Sequence, residues 1–301
     1  MPPVVRGAIT ALLTPGFRKV YHEVYEERPL EYPTWCNTPG MEWNPITDKQ
    51  VGGLSTMPEK PEGMQFDLDE YKLGGTVTYE ATPYGLAGEV TFEAFRDEQY
   101  GIMRLIPEGL ARASRNRKEV QAHSVLNNAF STSYAGFEAT TSLCSTAHVS
   151  NIDGVTRSNR PSPDVAFSAT ALQAMILHFH ALTDERNMPM LMSAGMLIIP
   201  PAKLFVAREI LGTPARPYSA QNEINSLVPE DLKYMVCHYL SSSTAWYALA
   251  PKGTHDLNFF IRDDTVTDSF DDPWTKNGVW TIYQRHTQGY GGWRGVYGSS
   301  G

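Results

Sequence analysis

The sequence has little cysteine, little charge and no uninterrupted apolar run long enough to span a bilayer. Only Cys36, Cys144 and Cys237 occur in 301 residues, far apart, and no N-x-Ser/Thr sequon is present. A secreted domain held by a disulfide framework is therefore excluded as a reading. No basic-then-apolar leader follows Met1, so no signal peptide is expected, and a reducing cytoplasm fits synthesis best. Charged residues make up 19% of the chain, and the net charge is -8. A protein whose main task is gripping nucleic acid phosphates needs clustered Lys and Arg, which this balance does not supply. The most apolar stretch, Met190 to Val206, contains Pro200, Pro201 and Lys203, so no membrane span is expected.

Catalytic signatures are also lacking. No G-x-S-x-G, G-x-x-x-x-G-K-[ST] or G-x-G-x-x-G occurs; the run Gly289 to Gly295 misses the last by spacing and by the absence of a following helix. His22-Glu23-Val24-Tyr25-Glu26 has a glutamate where a zinc-protease helix carries its second histidine. Cys144 and His148 offer a nucleophile and a base with no orienting third group. His178 and His180, two apart on an expected helix, point different ways, and Asp263-Asp264 and Asp271-Asp272 read as acidic strand-end turns. The chain is read as no enzyme, with no cofactor and no metal.

What is present is long-range organisation. At 301 residues and 42% hydrophobic, the chain can build one elaborated domain or two small ones. Its centrepiece is Phe95 to Phe130, whose apolar positions recur at helical spacing at both ends: Ile102, Leu105, Ile106, Leu110 and Ala113, then Ala122, Val125, Leu126 and Ala129. Ser114 to Glu119 between them is polar on every face and reads as a solvent bridge or a surface for charged neighbours. Pro107 should kink or break the helix, leaving two pieces with a combined length of about 50 Å.

Nine of the 21 prolines precede residue 62, and Pro29 to Pro61 shows no period, so that stretch is expected to be an extended arm. Before it, Thr14-Pro15 marks a helix start, and Phe17, Val20, Tyr21, Val24 and Tyr25 form one apolar face. That face either lies on the parent core or docks on a neighbouring subunit. Met64 to Phe95 alternates at Met64, Phe66 and Leu68 and again at Val77 and Tyr79, with glycine at Gly74-Gly75 and Gly85, giving an antiparallel ribbon too small to be stable alone. After the long helix, Ser131 to Asp164 is loop-rich. A helix capped by Ser168, a buried strand Leu191 to Ile199 and a helix from Pro200-Pro201 to Leu211, with Gly212 as its C-terminal cap, make an α/β lobe. Tyr234 to Leu240 and Ala245 to Leu249 read as a strand pair turning at Ser241 to Thr244. Leu257 to Ile261, Thr265 to Phe270, Val279 to Tyr283 and Trp293 to Tyr297 are further strands.

The strings EVTFEAFRDEQYG, NRKEVQAHSVLNNAF, SLCSTAHV, LIIPPAKLFVAREIL with QNEINSL, and WRGVYG, in this order from about Leu13 onward, resemble the major capsid proteins of tailed bacteriophages with the Hong Kong 97-type fold. The resemblance implies an α+β Hong Kong 97-like capsid fold: N-terminal arm 1–45 on a neighbour, extended loop 46–93, peripheral domain 94–165 with the spine helix at about 94–130, axial domain 166–252, and returning peripheral strands with the C-terminus in 253–301. It implies self-assembly into hexamers and pentamers of an icosahedral head shell, enclosing double-stranded DNA without sequence-specific binding. The expected partners are further copies of the chain, a separate scaffolding protein, a portal and in some cases a decoration protein. Assembly is expected in the bacterial host cytoplasm, with no membrane involved. Candidate inter-subunit contacts are Tyr71, Lys72 and Tyr79 on the ribbon, Arg112, Arg115, Arg117 and Lys118 on the spine, and Arg216, Tyr218 and Asn222 in the polar loop Pro214 to Leu227. Lys72 is available for a crosslink, but no acceptor is identified. The alternatives are an encapsulin-like compartment shell for protein cargo, and a soluble metallohydrolase using His22, Glu23 and Glu26.

Overall fold

The structure, a computed structural model, describes residues 9–91, 93–94, 97, 102–213, 225–227, 232–275 and 277–301, with side chains from Gly16 in the first helix and from Arg104 in the long helix. Helix α1 (Ile9–Glu26) and a single turn α2 (Tyr32–Trp35) precede strands β1 (Ile46–Gly52), β2 (Lys72–Tyr79) and β3 (Thr82–Val90). The spine helix α3 (Ile102–Asn127) is followed by the short pair β4 (His148–Val149) and β5 (Thr156–Arg157), then α4 (Ala169–His180), β6 (Met196–Ile199) and α5 (Leu204–Gly212). Strands β7 (Lys233–Val236), β8 (Trp246–Leu249), β9 (Leu257–Asp271), β10 (Gly278–Tyr290) and β11 (Val296–Ser299) complete the chain.

Two sheets carry the architecture. One is three-stranded and antiparallel, in the order β3-β10-β9. The other is four-stranded, β11-β8-β6-β7, with β6 and β7 parallel and the remaining pairs antiparallel. Strands β1 and β2 pair only with each other, as a separate ribbon.

The spine joins two cores, as its two apolar stripes anticipate. Leu110 and Ala111 pack with Phe17, Tyr21 and Val24 of α1, Val90 of β3 and Trp280 and Ile282 of β10. Ala122, Val125, Leu126 and Ala129 enter the larger core with Leu172, Met175 and Phe179 of α4 and with β6 and β8. Helix α4 begins at the expected cap, where the Ser168 hydroxyl accepts from the Ala171 N–H.

Several expectations are corrected. The spine is continuous over 26 residues, about 39 Å at 1.5 Å per residue, with Pro107 inside it. Pro107 is the sixth residue, so only the first turn must adapt to its missing N–H. Residues 95–96 and 98–101 lie outside the described residues. Helix α1 begins before Thr14-Pro15, and its apolar face lies on its own subunit. The arm is not free over residues 32–41 either. Tyr32, Trp35 and Cys36 are in the main core, the Asn37 N–H donates to the Leu257 carbonyl, the Asn37 carbonyl accepts from the Phe259 N–H, and the Met41 N–H donates to the Ile261 carbonyl, all in β9. Proline removes donors without preventing burial, which is why the pattern-poor stretch gave no sign of this.

The alternation at Met64, Phe66 and Leu68 is not a strand, because no partner strand pairs with it and the whole of 54–73 is exposed. The ribbon's pairing ends at Tyr79, since β3 pairs with β10 and residues 82–90 join the three-stranded sheet. Gly74-Gly75 lies within β2 and is no turn; a Cβ on Gly75 would collide with the Phe137 carbonyl oxygen. Strand β6 is shorter than expected, with Leu191 outside it, exposed, and at a positive φ of 49°. Strands β7 and β8 are not a hairpin, because β6 lies between them. Residues 257–271 form one strand, so Asp263-Asp264 is mid-strand and not a turn.

Candidate assembly surfaces

The most conspicuous surface is the far end of the β1–β2 ribbon. Leu54, Met57, Met64, Phe66, Leu68, Tyr71 and Leu73 are all exposed, Leu68 at 97%. An apolar cluster of this size left in water costs the isolated chain solubility and marks a contact site. Its root is firmly built. Arg186 donates from Nε to the Gly53 carbonyl at 2.9 Å and from Nη2 to the Glu70 carbonyl at 2.7 Å and the Asp69 carboxylate at 3.3 Å, so one guanidinium clamps both legs. Asp69 in turn accepts from the Ser55 hydroxyl and backbone N–H, both at 2.6 Å, and these bonds hold its carboxyl at about 2. Glu185 ties the same loop to the rest of the subunit, accepting from Gln50 at 2.9 Å and from Arg294. The apolar tip is therefore presented from a fixed base.

The spine's polar middle behaves in the opposite way. Ser114, Lys118 and Glu119 are buried. Ser114 bonds Gln284 at 3.0 Å, and Lys118 Nζ donates to Asp264 at 2.7 Å and to the Tyr25 hydroxyl at 3.0 Å. Burial alone would depress the Lys118 ammonium, but Tyr25 and Asp264 hold it above the ordinary lysine value. Glu119 accepts from the backbone N–H groups of Glu31 and Tyr32, latching the start of α2 to the spine. Burial pushes its carboxyl up to about 7, although those two donors favour the ionised form.

The candidate contacts sort accordingly. Tyr71 and Lys72 are exposed on the ribbon. Tyr79 is not a surface residue: it is buried against Phe260, ring centroids 4.6 Å apart. Lys118 is likewise committed inside the subunit, its side chain buried and its ammonium held by Asp264 and Tyr25. Arg112 is exposed beside Glu108 at 3.4 Å. Arg115 donates to the Pro29 carbonyl at 3.3 Å, and Arg117 lies 4.0 Å over the Tyr84 ring. Arg216, Tyr218 and Asn222 lie outside the described residues. The base of their loop is fixed by Asn225, whose amide donates to the carbonyls of Ile210 and Thr213 at 2.6 and 2.9 Å.

Sequence reasoning missed Arg186 and the exposed aromatics Phe270, near the end of β9, and Trp274, in the turn that follows it. Nothing in TDERN or DDPWT distinguishes a clamp or an exposed aromatic from ordinary loop residues. Cys144 and His148 do not form a nucleophile–base pair, because both His148 nitrogens are engaged, Nδ1 with Glu138 at 2.7 Å and Nε2 with Asn159 at 2.9 Å. His22, Glu23 and Glu26 are exposed on α1. One potential metal-ligating cluster is present among the described residues, Glu31, His123 and Cys237. No described helix is long and apolar enough to cross a membrane.

A family model described as phage capsid protein matches residues 74–299. Among solved structures, the chain is similar to the mature capsid of bacteriophage PhiM1, with a TM-score of 0.59, 10% identity and coverage of 90% of this chain and 86% of that one. It is also similar to the capsid of cyanophage P-SCSP1u, with a TM-score of 0.57, 10% identity and coverage of 90% and 88%. A virus-like particle from Pyrococcus furiosus matches with a TM-score of 0.52 at 10% identity, covering 94% and 97%. No curated protein matches the sequence. At such identities the structures establish the fold, which is α+β and Hong Kong 97-like.

Proposed function

We infer what this chain builds from one premise: it belongs to the phage capsid protein family. It is a major capsid protein, a subunit of a shell. Beyond that, the reading is that copies assemble as hexamers and pentamers of an icosahedral head enclosing a double-stranded DNA genome. The observation that carries it is the ribbon: seven exposed apolar side chains between 54 and 73, presented from a root clamped by Arg186. Such a surface is stable only when a neighbouring copy buries it, which couples completion of the subunit to assembly.

In this reading the ribbon is the extended loop and overlaps the adjacent subunit. The β3-β10-β9 sheet with the spine is the peripheral domain, and the β11-β8-β6-β7 sheet with α4 and α5 is the axial domain. A scaffolding protein and a portal complete assembly in the bacterial cytoplasm, with a decoration protein as an optional addition. The acidic balance fits a container that holds DNA by enclosure and not by phosphate contacts. Nor does the shell need catalytic chemistry. A protein-cargo compartment would use the same fold, but family membership favours the phage head.

Electron microscopy of the protein, expressed alone and with its scaffold, tests the reading. Closed icosahedral shells are expected. Strictly monomeric protein under every assembly condition overturns it, and shells that form unaided around an enzyme would move the assignment to the compartment.

A further inference from the structure

The geometry points to a structural transition-metal site, of the zinc class, formed by Glu31, His123 and Cys237, with His238 holding the Glu31 carboxylate. The first three contribute a carboxylate oxygen, an imidazole nitrogen and a sulfur that all lie within 4.8 Å of one another. His238 Nδ1 is 2.6 Å from Glu31 Oε1. Sulfur, nitrogen and oxygen in one set is the donor chemistry of zinc and cobalt, and it disfavours magnesium or calcium, which take oxygen ligands.

Three separate elements supply these groups: the segment entering α2, the spine helix α3, and the residues just after β7. His123 and Cys237 are fully buried, Glu31 is partly buried and the His238 side chain is largely exposed, so the cluster lies at the edge of the core. The imidazole is already oriented. Its Nδ1–H donates to the Glu119 carbonyl at 2.7 Å, which leaves Nε2 as the lone-pair nitrogen, and Tyr239 stacks on the ring at 5.4 Å. A ligand histidine whose second nitrogen is fixed by a backbone carbonyl is the usual outer-sphere arrangement of metal sites. Glu31 is positioned as well, accepting from the His238 backbone N–H at 3.2 Å.

Without metal, the cluster satisfies itself: Trp35 Nε1–H donates to His123 Nε2 at 3.3 Å, and Glu31 accepts from His238. Metal binding breaks the S–H bond, forms the metal–sulfur bond and releases that proton to solvent, with no change of oxidation state. Donors around a tetrahedral ion stand about 3–4 Å apart, so the widest pair closes by about 1 Å and the Trp35 N–H gives up its weak bond. The bound ion would join the N-terminal segment, spine and four-stranded sheet at one point.

The test uses the full-length subunit. Purified protein, stripped with chelator, is titrated with Co²⁺ and followed by its thiolate-to-cobalt charge-transfer band, while Zn²⁺ binding is measured by elemental analysis and by the rise in melting temperature. One ion per subunit and a thiolate band are expected. Cys237→Ser should abolish the band, and the Zn²⁺-dependent rise with it. His238→Ala, on an exposed side chain that positions the Glu31 carboxylate, should weaken binding tenfold or more. Absence of stoichiometric uptake by the wild-type protein overturns the site, whether or not the variants fold. So does a charge-transfer band that survives in folded Cys237→Ser, and so does unchanged affinity in His238→Ala.

Discussion

The ribbon tip and the middle of the spine helix are opposites, each the reverse of what its composition suggests. Residues 54–73 carry seven large apolar side chains and expose them all, whereas Ser114, Lys118 and Glu119 of a polar run are buried. Apolar surface left in water is waiting for a partner outside the subunit. Buried charge, in contrast, has found its partners within: Lys118 on Asp264 and Tyr25, Glu119 on the backbone of Glu31 and Tyr32. Position relative to the subunit's own core decides which residues hold the fold and which build the shell.

If that division is right, the largest effects on the isolated subunit come from the two ends of the spine. Leu126→Asp places a carboxylate among Ala122, Leu172 and Tyr247 in a site with no exposure, a cost of roughly 4 kcal/mol or more even if the acid is protonated. The expected outcome is loss of the cooperative melt by circular dichroism and recovery in the insoluble fraction. A soluble, cooperatively folded variant would mean the spine does not organise the core.

Next comes the buried middle. Lys118→Ala removes a nearly fully buried side chain and leaves the Tyr25 hydroxyl without its donor, while Asp264, largely exposed, returns to water. A loss of about 2–3 kcal/mol in chemical unfolding is expected. A loss below about 0.5 kcal/mol would return this run to the solvated-face reading and remove the contrast with the tip.

Acid should act on the same region. His286 is buried with neither ring nitrogen hydrogen bonded, stacked on Tyr84 at 4.7 Å, and burial, then the charges of Lys118 and Arg117, push it down to about 4. Burial does the same to His255. Between pH 6.5 and 4 the folded chain binds fewer protons than the unfolded one at both histidines, so they remove stability as pH falls through that window. Glu119, raised to about 7, works the other way: its folded form holds its proton more tightly, so between about 4.5 and 7 it favours the fold as pH falls. The net expectation is a declining melting temperature below pH 6.5. His286→Phe should flatten that slope by up to about 1.4 kcal/mol per pH unit. An unchanged slope would show that His286 is not the responsible group.

Double charge reversal, Arg115→Glu with Arg117→Glu, should cost only about 1 kcal/mol, because both side chains are half-exposed and their bonds to Pro29 and Tyr84 are weak. The subunit should stay soluble and folded, with assembly impaired in electron micrographs. Normal shells from this variant would remove the arginines from the interface.

The sequence made the single elements legible and their partners much less so. Helix α4 could be read because Ser168 and the spacing of Leu172, Met175 and Phe179 are local. The two stripes of the spine were equally plain. The insertion of β6 between β7 and β8 was not, since hydrophobic strands carry no mark of which neighbour they choose. Nor did SRNRKE announce burial, because Asp264, Gln284, Tyr25 and the backbone of residues 31 and 32 that satisfy it come from remote segments. Glu31, His123 and Cys237 were hidden for the same reason, their spacing matching no ligand motif. At the tip the apolar residues were visible and their alternation misled: period 2 suggested a strand, whereas no strand pairs with residues 64–68.

The tip should show the smallest effect on the subunit and the sharpest effect on the shell. Phe66 and Leu68 are 80% and 97% exposed, so Phe66→Ser with Leu68→Ser removes almost no buried area within the subunit and should change its unfolding free energy by less than about 0.5 kcal/mol. If a neighbour covers these side chains, each loses roughly 1.5–3 kcal/mol of burial in the assembled state, a loss repeated at every copy around the shell. The variant should therefore melt like wild type and fail to close shells, in the same preparation. Equal stability with normal shells would leave the apolar tip without a role in assembly. Reduced stability of the isolated subunit would mean that the tip folds back onto its own chain, and the contrast with the spine would no longer hold.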